Sequence, residues 1–331
     1  MLANNNKMII NKLAKNSVKS NKKQYGILFF TIVLSAFMLF CVFTIGLTYL
    51  DSSRLQNTRL NGAEYDITTM NGFTSKQVKS LQSNKNIQNV GMESYAGFIK
   101  SSEFDNTVEI GLLWCDETFW NNLMSPARTK LDGHYPQNKN ELMVTKDILK
   151  ACGNENLSVG DSIVLTYENN TGVHTDKFVI SGIWDGYGDK SAGFVSKNFY
   201  DETGYDLKND GILCIKLNRN YVLPTTIQSL EKSLNFSDRQ IFAPTDYIEN
   251  SFKLLLGICG LALVICLSAY LLIYNILYLS ISGKIRYYGL LQSLGMTKKQ
   301  LVRFITKQML FIAIAGIFIG NLLGILLCIK L

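Results

Sequence analysis

Three uninterrupted apolar runs, Gly26–Tyr49, Leu254–Ser282 and Phe304–Ile329, constrain this chain more than any other feature. Each exceeds the ~20 residues a helix needs to cross a ~30 Å hydrocarbon core. Their only charged residue is Lys307, close to the start of the third run. Between the first two runs lies a polar stretch, Asp51–Glu249, with no segment long and apolar enough to span. The expected fold class is a membrane protein of three α-helical transmembrane spans, with an extracytoplasmic α+β domain inserted between spans 1 and 2. The chain divides into a basic segment (1–25), a first span (26–49), an outer domain with a stalk (50–250), a second span (252–282), a loop (283–304) and a third span (305–329).

Charge sets the expected orientation. All 26 acidic residues fall between Asp51 and Glu249, together with 19 Lys and Arg. The remaining 14 basic residues lie outside that stretch with no acid among them, six of them Lys ahead of the first run. Lys and Arg beside spans are retained on the cytoplasmic side, which places the N-terminus and the 283–304 loop inside and the acidic bulk outside, in the cell membrane. A cleaved leader is the rival reading of residues 1–50. The first run is about twice the 7–15 residues of a leader's apolar region, and "TIGLTYLDSS" offers no small-x-small cleavage site. A nucleic-acid-binding arm is the rival reading of the Lys-rich start. Tethered to a span, that start is better explained by topology and anionic lipid, and no nucleic-acid partner is expected.

Residues 7–19, "KMIINKLAKNSVK", set Ile9, Ile10, Leu13 and Ala14 against Lys12, Lys15 and Lys19. That pattern suits a helix lying on the inner leaflet, with Lys22 and Lys23 completing a membrane-surface set. In the outer region "AEYDITT", "NTVEIGLLW", "ELMVT", "DSIVLTY", "KFVISGIW" and "GILCIKL" read as strands. "TSKQVKSLQ", "DETFWNNL", "TKDILKAC" and "PTTIQSLEKSL" read as helices, and "ENNTG" as a hairpin connection. Pro244 and Thr245 or Asp246 open a helix that runs to about Ser282, on the order of 50 Å and longer than the bilayer core, so its surplus projects outward as a stalk. Cys115, Cys152 and Cys214 lie in the outer region without motif spacing and allow at most one disulfide. The two histidines, His134 and His174, have no ligand or nucleophile at useful spacing, so no metal site or enzyme activity is expected.

The loop "KIRYYGLLQSLGMTKKQLVRF" carries Lys284, Arg286, Lys298, Lys299 and Arg303 and no acid. Burying five cations would cost on the order of 15 kcal/mol, so the loop lies in water. Tyr287, Leu290, Leu291 and Leu294 give a short helix one greasy face, and Gly295 stops it. Thr297 with Gln300 three residues on is a capping box that opens the next helix. A passive linker needs neither face nor caps, so the loop reads as a docking helix, with adsorption to the membrane as the alternative. Gly316, Gly320 and Gly324 form a stripe that lets another helix approach closely.

This loop, followed by the glycine-striped span, resembles the FtsX-like/MacB-like family of ABC transporter permeases. "LAKNSVKSNKKQYGILFFTIVLSAF" is similar to the family's basic N-terminal helix and first span. "LDGHYPQNKNELMVTKDIL", "LSVGDSIVL" and "FVISGIW" more loosely resemble its extracytoplasmic domain. The sequence departs at Tyr287, where many members carry Glu. The family also has at least a fourth span, so the chain to Leu331 reads as a partial permease or one completed by a partner. The resemblance implies a non-catalytic subunit with no cofactor of its own, ATP and Mg²⁺ being held by a separate cytoplasmic ATPase. Nothing here matches Gly-x-x-x-x-Gly-Lys-Ser/Thr, in keeping with that division. It further implies that the loop, from Lys284, Arg286, Tyr287 and Gly289 through Leu290, Leu291, Leu294, Gly295, Thr297, Lys298 and Gln300, docks on the ATPase. A second permease copy or half and membrane lipid are the other implied partners. The implied work is export, lipid or peptide extraction, or mechanotransmission. The alternative is a membrane-anchored extracytoplasmic sensor, which would need a cytoplasmic signalling module where this chain has a third span.

Overall fold

The computed structural model describes residues 7–20, 22–100, 110–187 and 192–329, with side chains from Ile10 onward. Ile9's side chain and the first four residues of "NTVEIGLLW" lie outside it. In chain order the elements begin with α1 (Lys7–Ser20), α2 (Lys22–Asn61), β1 (Ile67–Met70), α3 (Ser75–Gln82), β2 (Ile87–Ile99) and β3 (Ile110–Cys115). A π turn (Phe119–Leu123) precedes β4 (Arg128–Gly133), β5 (Glu141–Thr145), α4 (Lys146–Ala151), β6 (Ser162–Asn169), β7 (Gly172–Gly186) and β8 (Ala192–Val195). Then come α5 (Lys197–Tyr200), α6 (Leu207–Asp210), β9 (Ile212–Leu217), α7 (Pro224–Ser233), β10 (Ile241–Pro244), α8 (Asp246–Ser282), α9 (Ile285–Ser293) and α10 (Lys298–Cys328). Two compact units result: Met1–Tyr49 with Leu254–Leu331, and the inserted Leu50–Lys253.

Among the described residues three helices are long and apolar enough to cross a membrane, α2, α8 and α10. Helix α2 has 40 residues and α8 has 37, about 60 and 55 Å at 1.5 Å per residue. The apolar run predicts only part of α2, which continues through Asp51–Asn61 because that polar stretch contains neither Gly nor Pro. Pro244, expected to start α8, instead ends β10, and Thr245 is the residue that leads into the helix.

In the inserted unit the described strands form one mixed sheet in the order β10-β1-β9-β2-β3-β8-β5-β7-β4. Strand β6 pairs with both β2 and β7, so β2, β3, β8, β5, β7 and β6 close into a ring. Closure depends on β2, whose register slips between Tyr95 and Gly97. Gly97, at φ 152°, sits where a Cβ would come within 2.8 Å of the Glu168 carbonyl oxygen. The bulge re-aims the strand so that Phe98 and Ile99 reach Glu168 and Tyr167 on β6. Leu112, Leu142, Val144, Ile163, Phe178 and Ile180 fill the ring, with Phe199 and Tyr200 of α5 packed against them. Outside the ring, α3 and α7 cover β1 and β9 through Leu81, Ile227 and Leu230. Residues 168–172 form the expected hairpin, with Asn169 opposite Gly172. "DETFWNNL" is helical over 117–123 as expected, its last five residues in π geometry, and Asp116 Oδ1, which accepts from both Met92 N–H and Phe119 N–H, pins its start to β2.

Glu93 projects from β2 toward the cluster that holds Cys115, Trp120 and Cys214. The Cys214 thiol donates to Glu93 Oε1 at 3.8 Å, and burial pushes that carboxyl up to about 7. The folded state therefore keeps a proton that the unfolded chain releases near 4.5. The resulting stability is complete below pH 4.5 and is lost as the pH rises through 7, amounting to about 3 kcal/mol at most. All three Trp (114, 120 and 184) lie in this unit, so their fluorescence follows its melting within the full chain. The midpoint is expected to fall between pH 5 and pH 8, and Glu93→Gln to flatten that dependence; equal slopes in parent and variant would remove Glu93 as the cause.

Candidate functional site

The segment between the second and third spanning helices is built from local signals. After α8 the chain turns at Gly283 and Lys284 into α9. Met296 N–H donates to the Leu291 carbonyl and Gly295 N–H to the Gln292 carbonyl, both at 3.0 Å. This pair of bonds closes the end of a helix when the next residue is left-handed, and Gly295 has φ 97°. Thr297 Oγ1 then accepts from Gln300 N–H at 3.3 Å, while Gln300 Oε1 accepts from Thr297 N–H at 2.9 Å. The reciprocal cap starts α10, so the two helices meet at a fixed corner rather than a slack connection.

The corner sorts its residues into two sets. Tyr288, only 8% exposed, packs with Leu291 against Ile10 and Ala14 of α1 and Phe304 of α10. Tyr287, Leu290 and Leu294 point outward, Leu290 62% and Leu294 82% exposed, beside an exposed Gly289. The greasy face expected from Tyr287, Leu290, Leu291 and Leu294 is thus divided, because Leu291 turns inward to the packing side. Arg286, Lys298, Lys299 and Arg303 are exposed, and no ion pair among the described residues involves them. Lys284 is withdrawn from that set, its Nζ lying 4.8 Å from the centroid of the Tyr25 ring.

Helix α1 packs on this corner, with Ile10 and Ala14 against Tyr288 and Phe304. Lys12, Lys15 and Lys19, with Lys22 and Lys23, stay exposed. Nearby, Tyr25 Oη donates to Gln308 Oε1 at 2.8 Å and ties α2 to α10. Gly316, Gly320 and Gly324 are buried against α2. A Cβ on Gly316 would lie 2.8 Å from Ile32, and one on Gly320 would lie 2.6 Å from the Val33 carbonyl oxygen. One on Gly324 would collide with the Phe40 ring.

In the inserted unit, sequence patterning gives no hint of the clamp at the strand edge where the chain enters and leaves. Asp66, just before β1, is 1% exposed; Lys216 Nζ of β9 lies 3.3 Å from its Oδ2 and 3.3 Å from Glu64 Oε1. Asp66 Oδ2 also accepts from Leu217 N–H at 2.8 Å, and its backbone carbonyl from Thr245 N–H at 2.8 Å. Burial raises the Asp66 carboxyl above its ordinary value, with Lys216 and the Leu217 N–H pulling it back down. Asp66 thereby ties the start of β1 to β9 through its carboxylate and to the residue that leads into α8 through its backbone carbonyl. Sequence patterning also missed a polar cleft of about 480 Å³ beside α3 and α7, bordered by Lys76, Lys208 and Arg239. Gln77 and Gln240 in that cleft hydrogen-bond each other and the surrounding backbone.

The two histidines have structural partners. His134 Nδ1 is 3.0 Å from the Tyr135 carbonyl, and His174 lies 2.8 Å from Thr171 Oγ1 and stacks on Tyr167. Cys115 and Cys214 are buried thiols bonded to Tyr135 and Glu93. Among the described residues no group of three or more His, Cys, Asp or Glu is placed to hold a metal ion.

No curated protein matches the chain. Among solved structures, the periplasmic region of MacB from Actinobacillus actinomycetemcomitans aligns at 15% identity with a TM-score of 0.39, covering 59% of this chain and 95% of that one. The extracellular domain of the noncanonic ABC-type transporter YknZ from Gram-positive bacteria aligns at 10% identity and a TM-score of 0.36, covering 54% and 99%. Residues 259–331 match the family model of the FtsX-like permease C-terminal domain. That match takes in most of α8, the capped corner and the whole of α10, so the last part of this chain is similar to an FtsX-like permease C-terminal domain.

Proposed function

We propose that this chain is the membrane subunit of an ABC-type permease, working with a separate cytoplasmic ATPase that holds ATP and Mg²⁺. The corner formed by α9 and the start of α10 is the docking surface, with Tyr287, Leu290 and Leu294 as its apolar contacts. Arg286 and Lys298 supply its charge. The inserted domain faces away from the cytoplasm, and nucleotide-driven movement of the ATPase reaches it through α2 and α8 as rigid bodies. The observation that carries this reading is the corner itself: a doubly capped, acid-free segment whose cations lack ion-pair partners within the described chain.

The corresponding experiment is co-purification from membranes with the ATPase partner, followed by ATPase assay. Arg286→Glu combined with Lys298→Glu is expected to lower the recovered ATPase at least about tenfold, since like charge across a contact costs several kcal/mol. Insertion of the three spans should be unchanged, because both positions lie outside the apolar runs. Undiminished ATPase recovery by the double variant would remove the docking role. A chain that purifies with no ATPase would point instead to a membrane-anchored sensor.

A further inference from the structure

The polar cleft beside α3 and α7 is a built surface. Three segments distant in sequence meet there, within residues 71–80, 208–209 and 233–240. Its floor is an amide clasp. Gln77, 7% exposed, donates from Nε2 to the Leu234 carbonyl at 3.1 Å and accepts at Oε1 from Thr74 N–H at 2.8 Å. Gln240 Nε2 donates to the Gly72 carbonyl at 2.7 Å, and its Oε1 accepts from Ser237 N–H at 3.1 Å. Asn71 Nδ2 adds a bond to the Arg239 carbonyl at 2.8 Å, and Phe73 N–H reaches the Leu207 carbonyl at 3.1 Å. Backbone bonds and amides therefore fix all three segments before anything binds.

The rim is cationic. Lys76, Lys208 and Arg239 border the cleft, all exposed, and no ion pair among the described residues involves them. Among the described residues the lining contains no acid and no aromatic ring, and Leu234 is its single aliphatic side chain. Asp206 and Asp210, the acids nearest Lys208 in sequence, are turned to backbone. Asp206 Oδ1 accepts from Lys208 N–H at 3.1 Å and Asp210 Oδ2 from Asp206 N–H at 2.9 Å. Asp238, next to Arg239, does not border the cleft. A concave surface lined by one sign of charge concentrates the opposite ion. Helix α3 opens here at Thr74 and Lys76, so the positive end of its dipole adds to the field. Helix α7 ends here, and its negative end opposes an anion, but Gln77 already occupies the Leu234 carbonyl.

What the lining offers defines what it recognises. Three cations call for more than one negative charge, and guanidinium and ammonium groups are the usual partners of phosphate oxygens. Asn235, Ser80 and Ser233 bring groups that exchange hydrogen bonds with hydroxyls. A nucleobase finds no ring to stack on, and an acyl chain no apolar wall. The volume, about 480 Å³, is that of a small-molecule cleft, and a lone phosphate ion would leave much of it to water. We propose that this cleft binds a water-soluble phosphorylated sugar or polyol, held by Lys76, Lys208 and Arg239. The site lies wholly within the inserted unit, and it requires neither the permease reading nor an ATPase.

The test is calorimetric titration of the full chain, in non-ionic detergent, with fructose 1,6-bisphosphate. The bisphosphate is expected to bind, inorganic phosphate to bind at least about tenfold more weakly, and fructose not at all. Lys76→Gln combined with Arg239→Gln should weaken the bisphosphate at least about tenfold. Lys208→Gln, on a separate segment, gives an independent reading and should weaken it at least about threefold. Lys130→Gln with Lys177→Gln removes as much charge from β4 and β7, at the other end of the sheet, and should leave binding unchanged. Tryptophan fluorescence should give every ligand-free variant the parent's melting midpoint, since all these side chains are exposed. Absence of bisphosphate binding, equal weakening by the distant pair, or inorganic phosphate binding as tightly overturns the proposal. Dihexanoyl phosphatidylglycerol carries the same kind of ester on a lipid; tighter binding of it than of the bisphosphate would assign the cleft to a headgroup and overturn the soluble ligand.

Discussion

Replacing Lys216 by Met is expected to destabilise the inserted domain by about 3–5 kcal/mol, because it leaves the buried Asp66 carboxylate without its cation. Lys216 and Asp66 are both buried, and their charges are not screened by water. Burial already raises the Asp66 carboxyl, so the pair does not fully repay its own desolvation. The single variant therefore suffers far more than a variant that removes both charges. Thermal unfolding of the full chain in detergent, followed by tryptophan fluorescence, should show the midpoint lowered by roughly 10 °C. Lys216→Met combined with Asp66→Asn should recover most of that loss, since Asn can still accept from Leu217 N–H. A double variant as unstable as the single one would mean that Lys216 acts through packing of its stem rather than through its charge.

The second large effect is expected at Gly320. A side chain there meets the Val33 carbonyl oxygen at 2.6 Å and the Ala36 Cβ at 2.8 Å. Backbone cannot rotate aside as a flexible side chain can, so Gly320→Leu must push α2 and α10 apart. Overpacking of this kind costs about 1–3 kcal/mol, and here it falls on a contact that depends on close approach. Heating in detergent should convert the variant to aggregates at a lower temperature than the parent, as read by gel filtration. The tryptophan signal should be nearly unchanged, since it reports the other unit. Gly26→Leu is the control, because nothing lies within 4 Å of that position. A Gly320→Leu chain as heat-resistant as its parent would contradict the close packing of α2 on α10.

What could be read from residues alone followed the range of the interactions involved. The spanning helices announce themselves by composition, and the caps at Gly295, Thr297 and Gln300 are made by residues a few positions apart. Strands β5, β6 and β9 show as short apolar runs between turn residues. Strand β2 does not, because it meets protein on both faces and its bulge at Gly97 interrupts any alternation. Strand β4 is hidden for the opposite reason: it lies at the edge of the sheet and buries almost nothing. The ring closure is equally silent, since Phe98 and Glu168 pair across a long loop in sequence. At the corner, local pattern reveals that α9 is amphipathic but not which residues turn inward. That choice is made by Ile10 and Ala14, at the opposite end of the chain.

The antiparallel register of Ile67 with Pro244 has a practical consequence. The residues by which the polypeptide enters and leaves the inserted sheet are direct neighbours, about 5 Å apart. The 178 residues from Ile67 to Pro244 are thus spliced into the chain through a gap no wider than a strand. Such a cassette can be lifted out and closed with a tight turn, or exchanged for a foreign module whose own termini lie side by side.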